Sequence, residues 1–253
     1  MKLYQIYFSP TGGTKKVTDI LGSAWDCEKE DIDLSSPDVD FGAYAFGPED
    51  VCLVAVPSFG GRVPDGIAGR IAGLSGGGAK AVLICVYGNR AYEDTLAELE
   101  DVLSAGGFVC LAAVAAIAEH SIARQFAAGR PDAEDERELL EFAARIQEAA
   151  DTGASVPVKV PGNRPYKEYK IVPMAPKADE TCNECKKCVK ACPVKAIDGE
   201  DPRQTDSGIC ISCMRCIAVC PQGARKLDEA MLAALGEKLE KLCTGRKKNE
   251  LFL

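Results

Sequence analysis

The sequence predicts an α/β domain built on a parallel sheet, followed by a small module organised by cysteine ligands. Three observations carry this. Over residues 1–150, short apolar runs alternate with amphipathic segments, the pattern of successive strand–helix units. Residues 182–221 hold two copies of one run, C-x2-C-x2-C-x3-C-P. The length of 253 residues exceeds one average domain and falls short of three large ones, so a core domain with an appended module is the natural division.

In chain order, apolar runs predict strands near residues 2–8, 27–33, 51–57, 80–87 and 108–118, and helical spacing predicts helices near 14–24, 63–73, 92–105 and 132–150. The last helix has clear end signals. Pro131-Asp132 opens it, Glu134, Asp135 and Glu136 suit its positive dipole end, and Gly153 follows it. Between the second and third strands, Ser35 to Glu49 holds Pro37, Pro48 and two glycines, which leaves room for a turn or a short helix only. Trp25 is expected to pack at the end of its helix. Cys27, Cys52, Cys85 and Cys110 are expected inside apolar strands as small buried hydrophobes.

From residue 151 to 180 the chain reads as a stiff, extended linker, because Pro157, Pro161, Pro165, Pro173 and Pro176 each disfavour helix. Tyr166 and Tyr169 are candidates to anchor it on the first domain. The cysteine module spans 181–226, and a helix and tail complete the chain over 227–253, with helical apolar spacing at Leu227, Met231, Leu235, Leu239 and Leu242. Cys243 falls late on that helix, outside any ligand spacing. Arg246-Lys247-Lys248 is expected to be a solvated, frayed end.

Composition narrows the function classes. Residues 1–150 carry 12 Lys and Arg against 24 Asp and Glu, whereas residues 151–253 carry 18 against 14. Nucleic acid is therefore not an expected partner. The longest apolar stretch, Phe108 to Ala118, has strand length, so no membrane span is expected. Without a signal-peptide apolar region, the 13 cysteines are expected in a reducing, cytoplasmic compartment, as ligands or buried thiols rather than disulfides.

The first run is Cys182, Cys185, Cys188 and Cys192 before Pro193; the second is Cys210, Cys213, Cys216 and Cys220 before Pro221, at an offset of 28 residues. Paired C-x2-C units also describe zinc sites, but three cysteines at successive x2 steps crowd together here, twice. Residues 182–225 resemble a bacterial two-cluster ferredoxin, in which the fourth cysteine of each run ligates the other cluster. The resemblance implies a small α+β module with two [4Fe–4S] clusters. The first would be held by Cys182, Cys185, Cys188 and Cys220, the second by Cys192, Cys210, Cys213 and Cys216.

The first strand runs into Ser9-Pro10-Thr11-Gly12-Gly13-Thr14 and then a helix. Hydroxyls, close backbone approach and unpaired helix N–H groups together suit a phosphate; the same turn also reads as an ordinary helix cap. Neither a Walker loop nor a G-x-G-x-x-G fingerprint occurs. Here the chain resembles flavodoxin, whose phosphate loop matches Ser9, Thr11, Gly12, Gly13 and Thr14. That resemblance implies a doubly wound, five-stranded parallel sheet and FMN, with the loops Ser58-Phe59-Gly60-Gly61 and Gly88-Asn89-Arg90-Ala91-Tyr92 around the ring. Phe59 and Tyr92 are the aromatic candidates for its two faces. Tyr87 reads equally as core, Arg62 and Arg90 as flanking groups or as loop charges, and His120, the single histidine, as a structural group or a neighbour of the flavin.

The order of the two parts resembles the flavodoxin–ferredoxin fusion proteins of anaerobic bacteria and archaea. It implies an electron-transfer protein that relays single electrons between two clusters and FMN, and to or from a redox partner protein. The alternative is an FMN-dependent reductase whose clusters feed a small acceptor such as a quinone. Lys186, Lys187, Lys190 and Arg215 form the expected face for an acidic partner.

Overall fold

The five expected strands pair in a computed structural model as one sheet, in a spatial order that puts the first strand beside both the second and the third. The structure describes residues 1–152, 158–170 and 172–253; Gly153 and Pro157 lie outside them. Strands β1 (Leu3–Tyr7), β2 (Lys29–Asp33), β3 (Val51–Pro57), β4 (Lys80–Tyr87) and β5 (Val109–Ile117) run parallel in the order β2-β1-β3-β4-β5. This is the doubly wound order with its switch point between β1 and β3, where open α/β sheets place ligands beyond the strands' carboxyl ends.

Both faces of the sheet are covered. On one, Leu3, Leu53, Ile84 and Val114 pack with Val17 and Leu21 of α1 (Gly13–Ser23) and with Leu139 and Ile146 of α4 (Ala133–Thr152). On the other, Ile6, Val54, Leu83 and Ala115 pack with Ile67 and Ile71 of α2 (Ile67–Ala72) and with Leu99 and Leu103 of α3 (Thr95–Ala105). Burial on both faces explains why β3 and β4 read as continuous apolar runs. Helix α2 starts four residues later than its spacing suggests, since Gly66 takes φ +75° and closes a turn in which Ile67 N–H donates to Pro64 O. Ser35 to Glu49 holds a single 3-10 turn, Phe41–Ala43, begun where Asp40 accepts from Gly42 N–H at 3.0 Å. Trp25 is buried directly after α1. Cys27 precedes β2 rather than lying in it.

The frayed tail expected at Arg246 to Lys248 is corrected. Residues Glu250–Phe252 form β8, which adds antiparallel to β5 with Ala113 opposite Phe252, so the sheet has six strands. The tail is held by the acidic start of α4. Arg246 forks onto Asp132 at 2.7 and 2.9 Å, and buried Asn249 donates to Asp135 and Glu138 while accepting from Ile117 N–H. Cys243 lies in the turn after α7 (Glu229–Glu240), where its carbonyl accepts from Asn89.

The linker is a strap bound to α3 rather than a free spacer. Asp94 accepts from Asn163 N–H at 2.8 Å and Lys167 N–H at 2.7 Å, Asp101 pairs with Arg164 and accepts from the Tyr166 hydroxyl, and Tyr169 accepts from Asp65 N–H at 3.1 Å. Arg62 joins the strap, with its guanidinium 4.7 Å from the Tyr166 ring centroid. Beyond it, β6 (Lys177–Ala178) pairs antiparallel with β7 (Arg225–Lys226) and encloses the short helices α5 (Lys187–Ala191) and α6 (Arg215–Ala218).

Candidate functional site

A cavity of about 600 Å³ opens at the switch point, within the size range of cofactor sites. Its floor comes from the β1–α1 turn. Gly12 takes φ +93° and begins α1 without a side-chain cap, while Ser9 Oγ accepts from Lys15 N–H at 2.8 Å. Ser9 is thus committed to the turn, and Thr11, Gly13 and Thr14 face the cavity. At Gly13 an added Cβ would stand 3.1 Å from Ala118 Cβ, so the glycine permits close packing of the turn on the end of β5.

Two side loops complete the wall, with Ser58, Phe59 and Gly60 from one and Gly88 and Arg90 from the other. The remaining expected residues lie elsewhere. Gly61 fits against Glu93, whose Oε2 would be 1.8 Å from an added Cβ, and so packs one loop on the other. Asn89, at φ +64°, donates to Cys243 O and Gly245 O and latches the C-terminal segment. Tyr92 is set edge-on to Tyr87 and donates to Glu250 at 3.3 Å, so it faces β8 and not the cavity. Tyr87 and Tyr169 stand on the lining with Phe59. Arg62 is withdrawn by Glu98, which accepts at 2.7 and 2.9 Å, and Arg90 is paired with Glu93 at 2.8 Å.

His120 lines the same cavity. Its Nδ1 accepts from Ile122 N–H at 3.2 Å and Ala123 N–H at 3.1 Å, which places the proton of the neutral ring on Nε2. Burial, with the Arg90 charge nearby, pushes its pKa down from 6.5 to about 4. Gly88 is required beneath it, because an added Cβ would be 2.6 Å from His120 Cδ2.

Several cavity residues carry no motif: Lys167, Tyr169 and Val172 of the strap, Ile211 and Ser212 of the cysteine module, and Leu239 of α7. Lys167 and Tyr169 reach the cavity through the strap's bonds to the first domain, and Ile211 and Ser212 through docking of the module. Arg70 donates to Pro193 O, Lys195 pairs with Asp38 at 2.7 Å, and Arg215 reaches Asp33 at 3.6 Å. Arg215 therefore belongs to the junction and not to the outer face, where Lys186, Lys187 and Lys190 remain exposed.

The cysteines surround two smaller cavities. Cys182, Cys185, Cys188 and Cys220 line one, and Cys192, Cys210, Cys213 and Cys216 line the other, so each draws three thiols from one run and one from its partner. The loops achieve this with left-handed residues repeated at the sequence offset: Glu184 and Ser212, Lys186 and Met214, Lys195 and Gly223 all have positive φ. Cys220 would be raised by burial, but main-chain N–H groups of Arg225, Gln222, Ala224 and Gly223 outweigh this and lower it. Burial pushes Cys213 and Cys216 up to about 12, so loading must displace their protons. Among the described residues no three His, Cys, Asp or Glu side chains converge on one ion-sized point. Four thiols spread around a cavity suit a multi-atom cluster better than one tetrahedral zinc.

Residues 181–225 match the model of a 4Fe-4S dicluster domain. No curated protein matches the chain. Solved structures similar to it include a Streptococcus pneumoniae flavodoxin, at 17% identity over 58% of this chain and 99% of that one, with a TM-score of 0.43. An archaeal flavodoxin is 15% identical over 60% and 99%, with a TM-score of 0.42. Megasphaera elsdenii flavodoxin is 18% identical over 56% and 98%, with a TM-score of 0.40. By strand order and domain match, the chain joins a flavodoxin-like α/β domain to a 4Fe-4S dicluster domain.

Proposed function

We propose that this chain is a single-electron relay in which two [4Fe–4S] clusters and FMN form one internal path. The observation that carries it is the position of Ile211 and Ser212. They stand between the ligand-spaced Cys210 and Cys213, and both line the large cavity. The second cluster site is thereby the inner one, beside the flavin site, and the first is the outer one, beside Lys186 and Lys187. Ser212 fixes the junction, since it donates to Val172 O and accepts from Met174 N–H.

The cavity fits FMN. Thr11, Gly13, Thr14 and the start of α1 offer hydroxyl and N–H donors to a phosphate, and Phe59, Tyr87 and Tyr169 offer apolar faces to a ring. When bound, FMN exchanges one or two electrons, which couples it to clusters that pass one at a time. The protein holds His120 neutral, so the ring can offer a hydrogen bond from Nε2 without adding charge. Lys186, Lys187 and Lys190 would dock an acidic redox protein of the cytoplasm at the outer site. A specific observation also supports a small acceptor reaching the flavin: Lys170, Lys238 and Leu242 line the cavity and are exposed, so it opens to solvent beside them.

Anaerobically purified protein is expected to carry about eight iron and eight sulfide per chain, from the ligand count, and one FMN. Gly13→Val, whose bulk meets Ala118, is expected to abolish FMN binding and leave the iron content unchanged. Stoichiometric zinc without sulfide, or full flavin content in Gly13→Val, would contradict the two assignments separately.

A further inference from the structure

The two halves of the cysteine module repeat at an offset of 28 residues, but one buried position breaks the repeat in kind. Ile197 follows Cys192 by the same interval at which Arg225 follows Cys220. Ile197 lines the second cysteine cavity, and Arg225 lines the first. Arg225 is only 2% exposed. Its Nη1 donates to Pro176 O at 2.8 Å and Thr205 Oγ1 at 2.6 Å, and Nη2 donates to Pro202 O. Its Nε–H is buried and has no partner among the described residues. All three acceptors are neutral, and no carboxylate pairs with this guanidinium among the described residues.

A buried guanidinium carries a fixed charge, and burying one without a counter-ion is costly. The cavity it lines supplies the missing anion if it holds a cluster. Four thiolates around an oxidised cubane leave a net charge of about −2, which becomes about −3 on reduction. We propose that Arg225 is the internal counter-charge of the cluster module, buried between the two sites and raising the potential of the clusters it faces. This rests on the reading that both cysteine cavities take [4Fe–4S] clusters.

The redox step adds one electron, supplied by a low-potential redox protein or by dithionite; no bond to the arginine forms and no proton moves. A fixed positive charge favours the more negative, reduced state and so raises the potential. Pro176 and Thr205, which accept from Nη1, line the second cavity, and Pro202, which accepts from Nη2, lines the first, so the charge stands between the two sites.

The test is an EPR-monitored dithionite titration of the cluster-loaded full chain and its Arg225→Gln and Arg225→Lys variants, after iron and sulfide analysis of each. The parent is expected to show two reduction steps. In Arg225→Gln at least one step should weaken about tenfold in its reduction equilibrium, about 59 mV for one electron. Arg225→Lys keeps the charge and should stay near the parent. Unchanged potentials in a fully loaded Arg225→Gln would overturn the proposal. If Arg225→Gln cannot hold its clusters, Arg225→Lys decides: parent-like potentials support the charge, and loss of clusters there too leaves only a structural bracket and overturns it. A parent without iron or sulfide would overturn the cluster reading itself, and is seen before any titration.

Discussion

His120 is held as a neutral acceptor by two main-chain N–H groups, and a proton on Nδ1 would break both bonds. Its pKa is lowered from 6.5 to about 4, so between those values the unfolded chain binds the proton that the folded chain refuses. Stability is therefore complete above about pH 6.5 and is lost as pH falls toward 4, by at most about 1.4 kcal/mol per pH unit. Denaturant titrations between pH 5 and 7 should show this slope in the parent and a flatter one in His120→Gln; equal slopes would remove the argument. At this scale the sequence was legible where function is local. Thr11, Gly13, Thr14, Phe59 and Gly88 are set by loops that follow their own strands. Tyr92 was not, because its direction depends on Glu250, far along the chain. Tyr169 and Arg215 likewise take their places from docking, which no short pattern encodes.

The strap between the two parts is an element with almost no secondary structure of its own, held by side chains of α3. Asp94 begins that helix but makes no side-chain cap to it, and its carboxylate serves Asn163 and Lys167 instead. Asp94→Ala should remove the hydrogen bonds that hold Asn163 and Lys167, cost about 1–3 kcal/mol and speed proteolysis within residues 158–170. Glu168→Ala, an exposed change on the same strap, should do neither. Parent-like proteolysis of Asp94→Ala would mean that the strap is held by its other contacts. Strands β1, β3, β4 and β5 are readable as largely buried apolar runs, whereas β2 is charged and buries only Ile32. Strand β8 is not readable, since three residues gain their order from Arg246 and Asn249 against the acidic start of α4. Among the described residues 158–170 and 172–176 no helix forms, but the prolines there carry no information about what the strap lies on.

At the scale of the whole molecule, the two parts meet so that the loop between Cys210 and Cys213 forms wall for a cavity of the other domain. The pairing of each cysteine run with the last cysteine of the other is what the resemblance to a two-cluster ferredoxin implies. The contact between the two domains does not, because Arg70, Asp38 and Asp33 belong to no motif. In the proposed relay, a docked module would make electron exchange between clusters and flavin an event within one chain, since tethered sites meet at a fixed effective concentration. The most direct measurement is stopped-flow reduction of the loaded protein, with the clusters and flavin followed at their own wavelengths over a wide range of protein concentration. The account predicts that flavin reduction follows cluster reduction at a rate independent of concentration. A rate that rises linearly with concentration would show that the two centres communicate only between molecules, and would contradict the single-chain relay.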